Sequence, residues 1–571
     1  MSNFPGWARE LSEKYYSGAY VQFVLHGNVH DLVPLRRDGA GVEFLSLKDF
    51  LHKGLFGQRQ IVFDYDRGGG LSFSTNDMQA DFRSALSGYD AFHGTQYSAG
   101  LPRNPDGVMN ILDNYLRLRL LDNRKIAFSI SFAETVAPAG DMQSLSPEDR
   151  NALVILKRWA QNPMFLKQDV TICLIAENLL EVNQGIVQHP GVATVAIPLP
   201  DETERLEFLE WQLKQTPLPE GSDVTPKALA VLTSGLKRLQ LQGLIAHAHH
   251  NKTPLTAKEL SRRKRAMIEA ESGGMLEFVQ TRFSLANVSG SAAAKQMLAD
   301  AATAIRKGRT DVVPMGYVLC GPVGTGKTFL ATCFAGDVGI PAVVLKNFRS
   351  MWQGQTEANL QRVLELLKAM SPIMVIVDEA DAQLGDRASS GDSGVGGRVF
   401  AQIAQFMGNT ENRGKVIWFL LTCRPDLLPV DLKRQGRAEE HLALFYPDTD
   451  VDRLAMLHAM LKKTGIALKS PEVEKLFIEK AGSMSGADIE AILVRASMKS
   501  ALEGDASVDA ADLTTVLEDF IPPSYPTEIE MQTLIAVSEC TRRSLLPEKY
   551  RKMPREEISQ RIAELKILAG E

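Results

Sequence analysis

The stretch Gly321-Pro322-Val323-Gly324-Thr325-Gly326-Lys327-Thr328 decides the fold of this 571-residue chain. It matches the pattern G-x-x-x-x-G-K-[S/T] at every fixed position, between an apolar run at 317–320 and a helix-compatible run at 329–335. Glycines let backbone N–H groups converge on phosphate oxygens, and the N-terminus of the following helix adds a favourable dipole. We therefore predict that this loop, with Phe329 at its exit, binds a nucleotide: Lys327 reaches the β- and γ-phosphates and Thr328 holds Mg²⁺.

A second segment supplies the carboxylates that a phosphate loop needs. Ile373-Met374-Val375-Ile376-Val377 is apolar throughout, as a parallel strand covered on both faces must be, and it leads directly into Asp378-Glu379. Ligands bind at the carboxyl ends of the strands in such sheets. We therefore predict that Asp378 positions Mg²⁺ and that Glu379 polarises the water that attacks the γ-phosphate of ATP.

Short apolar runs alternate with longer helical patterns through most of the chain, which is typical of parallel α/β architecture. A mainly helical texture is predicted from 203 to about 271, with helices at 203–213 and 226–250, and again from about 450 to 518. Strands are predicted at 21–25, 60–63, 125–131, 170–176, 316–320, 342–345, 373–377 and 416–421. The pattern indicates an α/β block followed by a helical block, twice over.

The composition limits the class of protein. The chain is 44% hydrophobic and 23% charged with a net charge of −6, which indicates a globular protein and no overall basic charge for coating nucleic acid. No apolar run reaches the ~18 residues that span a bilayer, and the start of the chain does not resemble a signal peptide. The five scattered cysteines predict neither a zinc site nor disulfides, which favours a cytoplasmic location. The basic run Arg262-Arg263-Lys264-Arg265 is interpreted as a solvated helix face.

Further motifs follow in an order that resembles the AAA clade of the AAA+ ATPases, from about residue 283 to 517. Phe283-Ser284-Leu285-Ala286-Asn287-Val288-Ser289-Gly290 is similar to the adenine-side lead-in of that family, and Asp378-Glu379-Ala380-Asp381 to its Walker B ending. Gly486-Ala487 is similar to the lid motif whose backbone lies beside adenine. The resemblance implies a three-layer P-loop NTPase module with a helical lid, ATP and Mg²⁺ as cofactors, and a homo-oligomeric, hexameric ring.

The same resemblance implies catalytic roles for residues outside the phosphate loop. Cys423, in Thr422-Cys423-Arg424-Pro425, stands where the family has the sensor 1 asparagine that helps to orient the attacking water. A thiol is a weak hydrogen-bonding group, so slow hydrolysis is predicted unless Thr422, Glu411 or Asn412 has taken over this role. Arg434 and Arg437, in Lys433-Arg434-Gln435-Gly436-Arg437, are implied to be arginine fingers on the nucleotide of the neighbouring subunit.

The segment Phe348-Arg349-Ser350-Met351-Trp352-Gln353-Gly354-Gln355-Thr356-Glu357 resembles the pore loop of AAA unfoldases. Trp352, between Met351 and Gln353, falls on the aromatic position that grips a threaded polypeptide in related hexamers. The alternative is a tryptophan buried at a subunit contact. Single-stranded nucleic acid can also stack on a channel tryptophan, but the loop brings only Lys346 and Arg349 as cations, so a protein client is favoured.

The first half has the alternation of strands and helices that is typical of an ATPase module, but it lacks the motifs that bind and hydrolyse a nucleotide. The strand predicted at 21–25 leads into His26-Gly27-Asn28-Val29-His30-Asp31 rather than a Gly-Lys-Thr loop. The strand at 125–131 leads into Phe132-Ala133-Glu134 rather than an Asp-Glu pair. This half resembles the decayed first domain of tandem AAA proteins from cyanobacteria and plastids, and no hydrolysis is predicted there.

These expectations divide the chain into a degenerate AAA-like α/β domain (1–200), a helical subdomain and linker (201–272), an AAA+ ATPase α/β domain (273–447), its helical lid (448–525) and a C-terminal helical extension (526–571). The expected function is ATP-driven remodelling, disassembly or unfolding of proteins through a central pore. A slow ATP-dependent assembly or regulatory switch and a nucleic-acid-directed motor stay open as alternatives. No His-Glu-x-x-His motif follows the ATPase module, so a fused zinc protease is not expected.

Overall fold

The computed structural model describes residues 4–37, 41–346, 356–384, 395–480, 484–521 and 525–570. The chain folds into two compact units, Met1–Ala266 and Met267–Glu571, and each contains a six-stranded sheet. Within the described ranges, no helix is both long enough and apolar enough to cross a membrane. The predicted α/β architecture with parallel sheets is confirmed in both units.

The sheet of the first unit has a parallel centre and one antiparallel edge. Its order is β5-β4-β6-β7-β1-β8, with β5 antiparallel to β4, while β2 and β3 form a separate hairpin. Phe128 and Leu174 pack on one face, and Ala127 and Cys173 pack on the other, so both faces are covered as parallel sheets require. The strands are β1 (Gln22–Gly27), β2 (Val33–Arg37), β3 (Gly41–Leu45), β4 (Ile61–Asp66), β5 (Gly70–Phe73), β6 (Ile126–Ser131), β7 (Val170–Ala176) and β8 (Val192–Ile197).

Helices cover both faces of this sheet and then continue as a helical part. One face is covered by helices Gly6–Tyr16 and Leu47–Phe50, the second of which runs on as a π-helical turn at Leu51–Leu55. The other face is covered by Asn76–His93, Pro105–Leu121, Pro147–Gln161 and Pro163–Lys167. The helical part consists of Glu202–Gln215, Pro226–Leu232, Arg238–His250 and the first ten residues of Ala257–Glu271.

The sheet of the second unit has the order β14-β10-β13-β12-β11-β9, and only β9 is antiparallel. Every residue of β10, β12 and β13 is buried. In both units, the five parallel strands follow the order fifth, first, fourth, third, second along the sheet, with the antiparallel strand beyond the second. The strands are β9 (Leu276–Phe278), β10 (Gly316–Cys320), β11 (Ala342–Leu345), β12 (Ile373–Val377), β13 (Val416–Thr422) and β14 (Glu440–Ala443).

The helices of the second unit form three groups. Those beside the sheet are Ala292–Arg306, Lys327–Val338, Thr356–Ala369, Ala380–Leu384, Val395–Gly408 and Val430–Lys433. The lid contains Asp450–Thr464, Pro471–Lys480, Gly486–Leu502 and Ala510–Asp519 around its own apolar core. The C-terminal extension, residues 525–570, contains Pro526–Glu539, Glu548–Arg551 and Arg555–Ala569.

Two local predictions for the helical part of the first unit need correction. The single helix predicted over 226–250 is wrong, because the chain leaves the helix after Leu232 and Gly235 takes a φ of +87°, a left-handed conformation that ends helices. The basic run was predicted to be solvated, which is correct for the exposed Arg262 but wrong for Lys264. Lys264 is 7% exposed and donates to Ser234 Oγ at 2.9 Å, and burial lowers its pKa to about 8.

Candidate functional site

The predicted phosphate loop joins the carboxyl end of β10 to helix Lys327–Val338. Gly321 has a φ of +135°, and a Cβ atom there would lie 2.1 Å from the Leu444 carbonyl oxygen. Gly324, with a φ of +79°, would place a Cβ atom 2.8 Å from the Ser485 side chain. These two positions therefore require glycine, and the loop is held close to β14 on one side and to the start of a lid helix on the other.

Side chains from outside the loop fix its shape. The Tyr446 hydroxyl donates to the Val323 carbonyl at 2.6 Å, and burial raises the pKa of Tyr446 to about 12. The Val323 N–H donates to Gln532 Oε1 at 3.1 Å. Gln532 belongs to the C-terminal extension, so this extension reaches the phosphate loop directly.

Lys327 lies at the centre of the loop. Its Nζ donates to the carbonyl oxygens of Gly321 and Pro322, at 2.8 and 2.9 Å, and lies 3.2 Å from Cys423 Sγ. The predicted phosphate-binding lysine and the predicted sensor 1 position are therefore adjacent, although they are far apart in sequence.

The hydroxyl and carboxylate predicted to hold Mg²⁺ meet at the carboxyl ends of β10 and β12. Thr328 Oγ1 donates to Asp378 Oδ2 at 2.9 Å. Hydroxyl and carboxylate oxygens at this separation suit a small, hard cation such as Mg²⁺. Glu379 follows with a φ of +48°, which is uncommon for a residue with a side chain, and its N–H donates to Asp378 Oδ1 at 2.9 Å.

The end of β13 separates the sensor candidates. Thr422 is 2% exposed, and its hydroxyl donates to Asp381 Oδ1 at 2.6 Å. The hydroxyl hydrogen of Thr422 is therefore already used in this hydrogen bond. Glu411 and Asn412 precede β13 in the 3-10 turn Thr410–Asn412. This turn lies where the parallel strands begin, whereas the phosphate loop lies where they end. These two are therefore not placed to replace Cys423.

A cavity of about 850 Å³ brings most of the predicted nucleotide-binding residues together. Its wall includes the loop from Val323 to Phe329, the carboxylates of Asp378 and Glu379, the Cys423 thiol, and Gly486 and Ala487 of the lid. Ser485 caps the lid helix that starts there, in a capping box with Asp488. Residues 287–295 and 544–549 also line the cavity, and the second of these segments belongs to the C-terminal extension.

No sequence motif predicted this contribution of the extension. The Leu545 side chain packs against the apolar core of the ATPase domain, and Lys549 Nζ pairs with Asp448 at 2.9 Å. These contacts join segments that are remote in the chain, and the extension carries no recognisable nucleotide motif.

The two predicted finger arginines differ in exposure. The side chain of Arg434 is 58% exposed, and its Nε lies 3.3 Å from Asp431 Oδ1. The side chain of Arg437 is 11% exposed, and it donates to the Asp431 carbonyl at 2.6 Å. Neither lines the cavity of its own chain. The predicted pore-loop residues Met351, Trp352 and Gln353 lie outside the described residues.

The first unit has a comparable strand order and a glycine at the end of β1, but the residues after its strands are not those of the nucleotide site. Gly27 ends β1 with a φ of +94°, and a Cβ atom there would lie 2.7 Å from the Ile197 carbonyl oxygen, much as at Gly321. The chain then enters the β2–β3 hairpin rather than a helix. Phe132, which follows β6, has a φ of +54°, and Glu379, the second residue after β12, has a φ of +48°, so the two share a left-handed conformation. Across the described parts of the chain, no group of three or more His, Cys, Asp or Glu side chains could hold a metal ion.

Comparison with protein families assigns most of the chain. Residues 1–198 match the AAA+ chaperone N-terminal Rossmann-like domain, and residues 203–273 match the AAA+ chaperone second helical domain. Residues 317–446 match the ATPase family associated with various cellular activities. The chain therefore belongs to the AAA+ ATPases, which confirms the resemblance found in its motifs.

Curated relatives match parts of the chain, one of them over a longer stretch than the others. The cell division cycle protein 48 homolog of Archaeoglobus fulgidus is 28% identical over 358 residues, covering 57% of this chain and 48% of the relative. The ATP-dependent zinc metalloprotease FtsH of Staphylococcus haemolyticus is 32% identical, over 35% of this chain and 28% of its own. The peroxisomal ATPase PEX6 of Colletotrichum orbiculare is 31% identical, over 34% and 14% respectively. The chain thus spans about half the length of these relatives, or less.

Proposed function

We propose that this protein is a Mg-ATP-hydrolysing ring ATPase that remodels, disassembles or unfolds protein clients. The observation that carries the proposal is the convergence of Lys327, Thr328, Asp378 and Glu379 on one cavity of about 850 Å³. A cavity of this size suits a nucleotide, and these four groups are the ones that phosphoryl transfer requires.

Each of these side chains has a distinct part in the proposal. Lys327 binds the β- and γ-phosphate oxygens, exchanging its present contacts with the Gly321 and Pro322 carbonyls for charged oxygens. Thr328 and Asp378 hold Mg²⁺, which neutralises developing charge when it is bound. Glu379, which follows Asp378 at the carboxyl end of β12, accepts a proton from the attacking water.

A ring is proposed because, among the residues that the structure describes, neither predicted finger arginine lines the cavity of its own chain. Arg434 is exposed and does not line that cavity, so its guanidinium is available to a nucleotide held by a neighbouring subunit. Arg437, which is largely buried within its own chain, would act by supporting the turn or by moving out of it. A hexamer is proposed by analogy with the family.

The client is proposed to be a protein rather than nucleic acid. The first two domains match those of AAA+ chaperones, and the net charge of −6 does not favour a polyanion. Met351, Trp352 and Gln353 are proposed as the client-gripping loop on the resemblance alone. All five cysteines are free, which fits the proposed cytoplasmic location.

Cys423 favours a second candidate function, a slow switch whose ATP state controls partner binding. The thiol lies 3.2 Å from Lys327 Nζ, where the family's asparagine would offer a stronger hydrogen-bonding group. If the protein is such a switch, it binds ATP tightly, hydrolyses it slowly and is mostly present as the ATP-bound ring.

The proposal is tested by Glu379→Gln, with Glu411→Gln at the far edge of the sheet as the matched control. Glu379→Gln is expected to retain bound ATP while losing turnover by at least about 100-fold, because a general base contributes 10²–10⁴-fold. Phosphate release and the ATP-to-ADP ratio on purified protein measure both properties. Turnover by Glu379→Gln equal to that of the control would overturn the assignment of this cavity.

A further inference from the structure

The turn that carries Arg434 and Arg437 is closed at its base by a histidine. His441, in β14, has its Nε2 atom 3.1 Å from the Lys433 carbonyl oxygen and 3.1 Å from the Ala438 carbonyl oxygen. These two carbonyls flank the segment 434–437. A single ring nitrogen therefore joins the beginning and the end of the arginine-bearing turn.

The other ring nitrogen faces the C-terminal extension. His441 Nδ1 lies 2.9 Å from the Glu539 backbone carbonyl oxygen and 3.4 Å from the Glu539 carboxylate. The partners of both nitrogens are thus hydrogen-bond acceptors. Only the doubly protonated imidazolium has two N–H donors, so all of these contacts are satisfied together only when His441 is charged.

Glu539 joins the same turn through a second contact. Its carboxylate accepts from Lys433 Nζ at 2.5 Å, one residue before Arg434. The side chains of His441, Lys433 and Glu539 are 7%, 10% and 21% exposed. Interactions between charges this far from water are stronger than on the surface, which makes the group sensitive to the loss of one member.

The charge states agree with this arrangement. Burial alone would lower the pKa of His441, but hydrogen bonds to Glu539 raise it above its usual value. Burial alone would raise the pKa of Glu539, but hydrogen bonds from His441 and Lys433 lower it. The other charged groups on these elements have partners of their own: Glu440 pairs with Arg542, and Glu439 pairs with Arg413. Burial raises the pKa of the neighbouring Cys540, which keeps that thiol neutral.

We propose that His441 and Glu539 are positioning residues for the arginine turn, so that the C-terminal extension sets the catalytic rate of the neighbouring subunit. This inference rests on the proposed action of Arg434 across the subunit interface. Helix Pro526–Glu539 also contacts the phosphate loop through Gln532, so one helix touches both the nucleotide site of its own subunit and the turn offered to the next.

The test is the pH profile of kcat for ATP in the wild type, Glu539→Gln and His441→Ala. In the wild type the imidazolium closes the turn below the raised pKa of His441, so kcat falls as pH rises through that pKa. Glu539→Gln keeps the size of the side chain but removes its charge, so the pKa of His441 falls and the loss of kcat moves to lower pH. Between the two pKa values, kcat of Glu539→Gln is expected to be lower by on the order of 10- to 100-fold, with KM for ATP unchanged.

His441→Ala removes the group that titrates, so its kcat is expected to be low throughout and to lose this step in the pH profile. The matched controls are His458→Ala and Glu474→Gln, which break a histidine–glutamate pair on the lid surface and should leave the profile unchanged. A profile in Glu539→Gln identical to that of the wild type would overturn the inference, as would an equal fall of kcat at every pH, which indicates general loosening.

Arg434→Ala in the same assay separates this inference from the proposed function. Normal turnover by Arg434→Ala would mean that the arginine turn has no catalytic role, and the proposed ring mechanism fails first. Loss of turnover in Arg434→Ala with an unchanged profile in Glu539→Gln would mean that the turn works without this clamp. Added to Arg434→Ala, the substitution Glu539→Gln should cost little further, because both act through one side chain.

Discussion

The two units of this protein share one strand order but differ in what stands at the carboxyl ends of the strands. In the second unit, β10 leads through a glycine loop into helix Lys327–Val338, and β12 leads into Asp378. In the first unit, β1 leads into a hairpin, and β6 leads into Phe132. Burial of apolar residues on both faces preserves a sheet, whereas the loops that carry chemistry contribute little to that burial. The same strand order therefore occurs in this chain both with and without these catalytic groups.

The space between the α/β part and the helical part shows the same contrast. In the second unit, the lid and the phosphate loop enclose a cavity. In the first unit, the Asp31 carboxylate accepts from the Leu239 N–H at 2.9 Å, at the start of helix Arg238–His250. Asp31 is 2% exposed and lies 3.7 Å from the Arg238 guanidinium. The first unit thus joins its two parts through buried charges beside a cavity of about 340 Å³, whereas the cavity of the second unit has about 850 Å³.

The largest expected effect separates the two units by nucleotide chemistry. Lys327→Ala is expected to abolish ATP binding and turnover by the whole chain, because the lysine is the cation of the phosphate site. Lys48→Ala, at the cavity of the first unit beside Phe132, is the matched control and should leave both unchanged. Calorimetric titration with ATP and phosphate release measure the two properties. Substantial turnover in Lys327→Ala would show that the first unit also hydrolyses ATP.

The next effect concerns the arginine turn. Arg434→Ala is expected to lower kcat on the order of 10³-fold with little change in ATP affinity, because a finger acts on the transition state. Arg309→Ala, an exposed arginine paired with Asp311, is the control. Mixing Arg434→Ala with Lys327→Ala subunits should restore part of the activity, since each supplies the half-site that the other lacks. No recovery in rings shown to be mixed would contradict action between subunits.

A smaller effect is expected at Cys423. Cys423→Asn should raise the single-turnover rate, because an amide offers a stronger donor and acceptor than a thiol beside Lys327. One hydrogen bond in the transition state contributes roughly 1–3 kcal/mol, or about one to two decades in rate. Cys423→Ala is the control and should not exceed the wild type. An unchanged or lower rate in Cys423→Asn would show that the thiol is already an adequate sensor.

The sequence predicted the second unit better than the first for a physical reason. Strands such as β10 and β12 are apolar at every position, and the residues that follow them match a pattern set by phosphate chemistry. The strands β2, β3, β5, β8, β9 and β14 were not predicted, and neither was the role of Gln532. These features depend on contacts between remote segments, such as Gln532 with Val323, which no local pattern records.

The architectural similarity of the two units was predicted only from the order and spacing of their strands and helices. The sequence identified no feature of His26-Gly27-Asn28 beyond its failure to match a phosphate loop. The structure adds that Gly27 is held against β8 as Gly321 is held against Leu444. The close approach of two backbones requires glycine at position 27, although no lysine and threonine of a phosphate loop follow it.

The smallest effect on turnover is expected from Asp31→Ala, which removes the link between the two parts of the first unit. Asp31 also accepts from Asn28 Nδ2 at 2.9 Å, so its loss leaves the Leu239 N–H without this acceptor and removes one partner each of Asn28 and Arg238. Removing one member of a buried ion pair costs about 3 kcal/mol, so the first unit should unfold at a lower temperature. Turnover at a temperature where both units are folded should stay within about twofold of the wild type, because no predicted nucleotide-binding residue lies in the first unit.

Scanning calorimetry with and without Mg-ATP separates the two units in that experiment, because a ligand stabilises only the unit that binds it. Asp31→Ala should lower the transition that Mg-ATP does not shift, and Asp141→Ala, at an exposed aspartate of the same unit, should lower neither. A large loss of turnover while the first unit is still folded would mean that its internal link takes part in the ATPase cycle. The first unit would then be a working part of the ring, and its lack of catalytic groups would reflect a changed role.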